Sequence, residues 1–418
     1  MWESMLVLGS SSDQLNPIGI SRVDSPVPLR AALSRIERYL TQLDILRVVF
    51  DEKRREQTFR DHAQVSVLVR DMHDASGAGG LERGGFERFR DAGFPTEAFE
   101  LDAAPIRIGL LHRRGIVTHM ILLLSHLPFD GVAFRLLERQ LLTAIEGHEV
   151  PEPGMQTETL VRHEQAPGSI RRSEAVLERW VDAATSPPAG RGLMPTTPGA
   201  YSVIALRSRA AAIAAQVIAL RTGTSTTSVV LAALTRAVHH EIDRDLSAML
   251  LVCNNRWQPQ LTQFIGQTLG NGLLRYSRQD LTGEMTSHVR AVYARTLNAY
   301  ARARYDTLRW RDTLTGLAAA GLSSDLSYYF NDVRAIRQAW QGLESQAGEL
   351  GGPAERETSI DVIERRDLSD ATVFANLRDA GPECLLKVVC DEKRMTPDAG
   401  AAMLAALEAV LVREAKAI

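Results

Sequence analysis

Cysteine is scarce in this sequence, with three residues among 418, and no two of them have the Cys-x-x-Cys spacing of a zinc or redox motif. A His-Glu-x-x-His motif is absent as well, so we expect no metal site. The cysteines at 253, 384 and 390 lie mostly in apolar stretches. We expect them to be reduced thiols of a cytoplasmic protein.

Strong charge and long apolar runs are also missing. The formal net charge is −3 at pH 7, which gives no reason to expect nucleic acid or an anionic membrane as a partner. No apolar run reaches the roughly 18 residues of a membrane-spanning helix. The start, Met-Trp-Glu-Ser, lacks the basic and apolar parts of a signal peptide, so a cytoplasmic location is expected.

Hydrophobic periodicity divides the chain into two halves that each mix strands with covering helices. The first half has predicted strands at 18–23, 46–50, 65–69, 106–111 and 117–124, and predicted helices at 29–43, 86–92 and 132–145. The second half has predicted helices at 169–184, 210–220, 226–239, 286–304 and 398–413, and predicted strands at 201–206, 247–253, 272–276, 326–330, 359–364, 371–376 and 385–390. A Pro- and Gly-rich stretch at 151–168 predicts a linker between an N-terminal lobe, 1–150, and a C-terminal lobe, 169–418. The predicted class is α/β with a layered α+β arrangement.

The strongest candidate for chemistry is the sequence Ser-His-Leu-Pro-Phe-Asp-Gly at 125–131, directly after an apolar strand. His126 would emerge at the strand end, where catalytic side chains are common, and histidine can accept and return a proton near neutral pH. A structural histidine is the alternative. Ser125 would face away from His126, because adjacent strand residues point to opposite sides, so it is not expected to be a nucleophile.

The ordered motifs resemble a condensation domain of nonribosomal peptide synthesis, in the superfamily of chloramphenicol acetyltransferase. The family motif His-His-x-x-x-Asp-Gly corresponds to 125–131, and the stretch 99–107 resembles the segment that leads into the motif strand. Weaker matches are Leu-Arg-Val-Val-Phe at 46–50, Asn-Arg at 255–256, Ile-Gly through Asn at 265–271, Tyr-Phe-Asn at 329–331, and 386–398. The resemblance implies two acetyltransferase-like lobes that form a V with a tunnel between them.

The resemblance also assigns roles to individual residues. His126 would be the catalytic base, and Asp130 would pair with Arg256 across the two halves or cap the following helix. Gly131 would let a pantetheine arm pass, with a plain turn as the alternative. Ser125 and Asn331 would contact substrate, although a structural role for Asn331 is equally open.

Three departures from the family pattern concern the substrate class more than the fold. One is the unusual Asn-Asn-Arg-Trp at 254–257, where the family has Gly-Arg. Ser125 stands where the family has its first histidine, which is thought to be mainly structural. The N-terminal Ser-x-x-Gln motif of the family has only a faint echo at 10–14.

The implied activity is that of a stand-alone condensation enzyme. It would join an acyl or aminoacyl thioester to an amine or hydroxyl nucleophile, forming an amide or ester in natural-product biosynthesis, including that of antibiotics. The donor would arrive on the phosphopantetheine arm of a carrier protein in trans, and the nucleophile would be a small molecule or a second carrier protein. No tightly bound cofactor is expected, and the protein is expected to be a monomer. Two alternatives remain: an acyltransferase that uses acyl-coenzyme A, and a non-catalytic domain that recruits a tailoring enzyme to a carrier protein.

Overall fold

The computed structural model describes residues 16–72, 94–185, 199–242, 248–322, 326–334, 337–367, 369 and 371–417. The predicted helix at 86–92 and the stretch 10–14 lie outside these residues. The chain forms two compact units. The first comprises Met1–Ala166 and Asn254–Leu269, and the second comprises Pro167–Cys253 and Gly270–Ile418.

The first unit is built on a four-stranded sheet. Its strands are β1 (Ile18–Pro28), β4 (Val67–Asp71), β5 (Ile106–Arg113) and β6 (Ile116–Leu124), in the order β1-β6-β5-β4. Only the β4–β5 pair is parallel. A separate hairpin joins β2 (Val48–Asp51) to β3 (Glu56–Phe59), and the helices are α1 (Leu29–Leu40), α2 (Gly131–Glu146) and α3 (Thr157–Gln165).

Strand β6 is apolar along almost its whole length because both of its faces are covered. Met120, Leu122 and Leu124 pack in the main core of the unit, with side chains of α1 and α2. Ile121 and Leu123 point the other way, into a smaller cluster that contains Phe94, Phe99 and Leu111. The strand that leads into the histidine motif is therefore packed on both faces.

The predicted linker at 151–168 is largely helical. Helix α3 begins at Thr157, and its first two free backbone N–H groups, those of Thr157 and Glu158, donate to the two carboxylate oxygens of Asp44 at 2.9 Å each. A helix start needs such acceptors, and here the acceptor lies more than a hundred residues away. Pro167 then opens α4, so the stretch 151–168 is not an irregular linker.

The second unit contains a seven-stranded mixed sheet in the order β11-β7-β13-β12-β10-β8-β9. Its strands are β7 (Tyr201–Ser208), β8 (Ala248–Cys253), β9 (Gly270–Arg275), β10 (Tyr328–Asp332), β11 (Ser359–Arg366), β12 (Val373–Arg378) and β13 (Cys384–Asp391). Strand β10 is parallel to both of its neighbours, and the other pairs are antiparallel.

Helices cover both faces of this sheet. They are α4 (Pro167–Thr185), α5 (Arg209–Thr222), α6 (Thr226–Glu241), α7 (Arg278–Thr282), α8 (Met285–Ala301), α9 (Thr307–Ala319), α10 (Pro353–Arg356) and α11 (Pro397–Ala417). The larger core holds side chains of α5, α6, α8 and α11. On the other face, Trp180 of α4 and Trp310 of α9 pack with Ala248 and Leu250 of β8.

Each predicted element that falls on described residues has a counterpart, with ends shifted by a few residues. Strand β3 and helices α3, α7, α9 and α10 were not predicted. The division of the chain differs in one important place: Asn254–Leu269 belongs to the first unit, whereas we expected the whole of 169–418 to form one lobe.

Among the described residues, no single helix is long and apolar enough to cross a membrane. Helices α5 and α6 together have the length and apolar composition of a membrane span, but the chain bends by 109° between them.

Candidate functional site

The candidate site begins where β6 ends. The N–H of Ser125 donates to the Pro105 carbonyl at 3.0 Å, which continues the pairing with the chain that leads into β5. The next N–H, that of His126, donates instead to the side-chain oxygen of Asn16 at 2.9 Å. The backbone thus leaves the sheet at His126, whose side chain remains partly exposed.

The imidazole ring of His126 is fixed through one nitrogen. Its Nδ1 lies 2.7 Å from the carbonyl oxygen of Phe129. A carbonyl can only accept, so Nδ1 carries the proton in this arrangement and Nε2 presents its lone pair. No described residue forms a hydrogen bond with Nε2, which is therefore the atom able to take a proton from a ligand.

The surroundings of His126 favour the neutral ring. Burial lowers the pKa of His126 below its ordinary value, while the hydrogen bond from Nδ1 to Phe129 and the charge of Asp130 raise the pKa by less. The ring is consequently neutral at pH 7, as a general base must be.

Asp130 is fully buried, and its hydrogen bonds go to groups other than the His126 ring. Its Oδ1 caps helix α2 by accepting from the N–H groups of Val132 (3.0 Å) and Ala133 (2.8 Å). Its Oδ2 accepts from both the backbone N–H and the hydroxyl of Thr268, at 3.0 Å each. Asp130 therefore holds the loop and the helix start together, and it is not part of a His–Asp catalytic pair.

The predicted ion pair between Asp130 and Arg256 is present. Arg256 Nη2 lies 2.8 Å from each carboxylate oxygen of Asp130, and the two side chains are 5% and 0% exposed. The guanidinium also donates to three backbone carbonyls, those of Leu261, Phe264 and Gly266. Both roles proposed for Asp130, helix cap and ion-pair partner, thus occur together.

One feature of this pair differs from the expectation. We expected it to join the two halves, but Arg256 belongs to Asn254–Leu269 and the pair lies within the first unit. The segment packs there because Leu261 and Phe264 form a cluster with Leu160, and Ile265 enters the main core of the unit. These apolar contacts decide to which unit the segment belongs.

Ser125 and Gly131 have contrasting environments. Ser125 is 3% exposed, and its Oγ accepts from the N–H of Leu127 at 3.4 Å, so the observed role is closure of the turn. Its predicted contact with substrate stays a prediction. Gly131 is exposed at the start of α2, and a Cβ added to it would meet no described atom within 4 Å. Open space in front of Gly131 is what the approach of a ligand requires.

Three residues of the site were missed in the sequence. Asn16 accepts from the His126 N–H, Thr268 donates twice to Asp130, and the side-chain amide of Gln267 donates to the His126 carbonyl at 3.1 Å. Thr268 and Gln267 lie within the 265–271 stretch already matched to the family, which was the available signal.

Asn331 lies in the second unit. It occupies β10 opposite Asn376 of the parallel strand β12 and is partly exposed. Strand β10 is an interior strand of the sheet, not an edge strand. The proposed contact of Asn331 with substrate stays a prediction.

No disulfide joins the three cysteines. Burial raises the pKa of Cys384 and of Cys390 to about 12, so these two thiols are unreactive at neutral pH. Within the described ranges, no group of three or more His, Cys, Asp and Glu side chains is arranged to hold a metal ion.

Comparison with known proteins identifies the fold. No family model and no curated protein matches the sequence. Among solved structures, the chain is similar to VibH, a nonribosomal peptide synthetase condensation enzyme, with 13% identity, a TM-score of 0.67, and coverage of 95% of this chain and 91% of VibH. It is also similar to the condensation domain of the monacolin K polyketide synthase MokA, with 13% identity, a TM-score of 0.68, and coverage of 99% and 95%.

A third similar structure is the complex of the X-domain and OxyB from teicoplanin biosynthesis, with 14% identity, a TM-score of 0.66, and coverage of 96% of this chain and 88% of the other. Together these similarities show that the chain has the mixed α/β, acetyltransferase-like fold of condensation domains.

Proposed function

We propose that this protein is a condensation enzyme with His126 as its general base. The observation that carries the proposal is a neutral histidine whose Nδ1 is fixed on the Phe129 carbonyl and whose Nε2 forms no hydrogen bond with any described residue. The similarity to condensation domains supports acyl transfer as the chemistry.

In the proposed reaction, an amine or hydroxyl nucleophile attacks the carbonyl carbon of a carrier-bound thioester. The nucleophile gives its proton to His126 Nε2 as the new C–N or C–O bond forms. The C–S bond then breaks, and the phosphopantetheine thiolate takes the proton from Nε2. The products are the amide or ester and the free thiol of the carrier, and His126 returns to its starting tautomer.

The remaining residues support this step without touching the reacting atoms. Asp130 and Arg256 fix the loop, and the open space at Gly131 is proposed to receive the pantetheine arm. The carrier protein is proposed to act in trans, and no tightly bound cofactor is proposed.

The proposal is tested by offering one acyl group in two forms, octanoyl carrier protein and octanoyl-coenzyme A, with a panel of amines and alcohols. Intact-mass analysis of the carrier and of the product follows the reaction. We expect product from the carrier-bound form, and His126→Ala should lower the rate by about 10²–10⁴. His148→Ala is the matched control, because His148 is an exposed histidine of the same unit.

The pH dependence gives a second test of His126. The test uses an alcohol as the nucleophile, because an amine would add its own titration. Only the neutral ring accepts a proton, and burial lowers its pKa, so kcat/KM should rise with pH through an acid limb below the ordinary histidine value and be level at neutral pH. An acid limb above that value would contradict the proposed environment of the base.

Other outcomes point to other functions. Product from octanoyl-coenzyme A alone would refute carrier-dependent condensation and establish a coenzyme A acyltransferase. Binding of the loaded carrier without turnover of any nucleophile would favour recruitment. That second function has some support, because Ser125 departs from the family motif and an X-domain with a similar fold forms a complex with OxyB.

A further inference from the structure

The peptide groups on both sides of His126 are held by side-chain amides. The N–H of His126 donates to Asn16, and the carbonyl of His126 accepts from Gln267 Nε2 at 3.1 Å. Because each peptide group is planar, fixing both groups fixes the backbone dihedrals of His126 and therefore the direction of its Cα–Cβ bond. The ring is then oriented by the hydrogen bond from Nδ1 to Phe129.

The amide of Gln267 has one consistent orientation. Its oxygen accepts from the N–H of Leu269 at 3.1 Å, so its nitrogen must face the His126 carbonyl, to which only a donor can bind. The residues on either side of Gln267 are anchored as well. The Gly266 carbonyl accepts from Arg256, and Thr268 donates twice to Asp130.

We propose that Gln267 is a positioning residue for His126. The Asp130–Arg256 pair forms no hydrogen bond with the ring, but it holds the segment that contains Gln267. Gln267 in turn holds the backbone of His126, the proposed catalytic residue. The kinetic part of this inference rests on the proposed function.

Two substitutions separate the two hydrogen bonds of Gln267. Gln267→Met keeps the length of the side chain and removes both bonds. Gln267→Glu keeps an acceptor for the Leu269 N–H but removes the donor to His126. If donation to His126 is what matters, both variants should lower kcat at the pH plateau by about 10-fold or more, as expected for a displaced reacting group, and leave KM unchanged.

The matched control is Gln260→Met on the same segment. Gln260 is exposed, and among the described residues its amide donates to the side chain of Gln258, at 3.1 Å. This variant should have the kcat of the wild type. A fall in kcat for Gln267→Met but not for Gln267→Glu would overturn the inference, because the Leu269 contact would then be the one that matters.

A readout without turnover separates this inference from the proposed function. Nitrogen-15 NMR of labelled histidine reports which ring nitrogen carries the proton, and His126→Asn identifies the resonances. We expect the Nδ1–H form in the wild type and in Gln260→Met, and a mixture of tautomers in Gln267→Met. Unchanged tautomers in Gln267→Met would overturn the positioning role even if the wild type proved inactive with every donor. A changed mixture in an inactive protein would refute only the proposed function.

Discussion

Replacing Arg256 by methionine tests how far the candidate site depends on one buried ion pair. The substitution keeps much of the apolar stem but leaves the Asp130 carboxylate, which is fully buried, without its counter-charge. Asp130 would retain four neutral donors, from Val132, Ala133 and Thr268, so its charge would be only partly compensated. Stranding one member of a buried pair costs about 3–5 kcal/mol, which is a large part of the roughly 5–15 kcal/mol that stabilises a typical domain.

The same substitution removes the donor of three backbone carbonyls in Asn254–Leu269. We therefore expect local opening as well as a lower free energy of unfolding. Urea unfolding at pH 7 measures the free energy, and hydrogen–deuterium exchange of peptides from 254–269 measures the opening. Asp130→Asn with Arg256→Met should cost less than the sum of the single changes, because the double variant contains no unpaired charge.

Arg162→Met is the matched control for this experiment. Arg162 pairs with Glu158 one turn earlier on α3, but the side chains are 68% and 56% exposed. Its loss should change the free energy of unfolding very little, because water screens an ion pair this exposed. If Arg256→Met were no more destabilising than Arg162→Met, or if exchange in 254–269 were unchanged, the reasoning about the buried pair would be refuted.

Two further predictions concern a glycine and a histidine. Gly131→Leu should change thermal stability little, because a Cβ at this position meets nothing within 4 Å, yet it should raise KM for the carrier-bound donor. Gly154→Leu, at another glycine where a Cβ meets open space, should change neither quantity, and an unchanged KM for Gly131→Leu would show that no donor passes there. Burial lowers the pKa of His288 to about 4 in the folded protein. As the pH falls below about 6.5, the unfolded chain therefore binds a proton at this histidine before the folded protein does, and the free energy of unfolding decreases down to about pH 4. His288→Gln should flatten the dependence of the unfolding free energy on pH in that range. His240 is exposed, so the control His240→Gln should leave the slope unchanged. Equal slopes for the wild type and His288→Gln would contradict the burial of His288.

Local patterns in the sequence determined most of the secondary structure. The apolar run before His126 predicted β6, and the periodic apolar positions after Gly131 predicted α2, because both signals depend only on neighbouring residues. Helix α3 shows the limit of such signals. The acceptor at its N-terminus is Asp44, and no residue near Thr157 in the sequence predicts that contact.

The candidate site likewise has residues that were predicted from the sequence and contacts that only the structure shows. The sequence by itself located His126 at a strand end, and its resemblance to condensation domains assigned Asp130 to a cap or an ion pair and named Arg256 as the partner. Only the tertiary structure showed that Nδ1, and not Nε2, bonds to the Phe129 carbonyl, that Asn254–Leu269 packs in the first unit, and that Gln267 reaches the His126 carbonyl. The physical reason is distance along the chain: Gln267 and Arg256 are 141 and 126 residues from their partners, so neither contact leaves a periodic signal in the sequence.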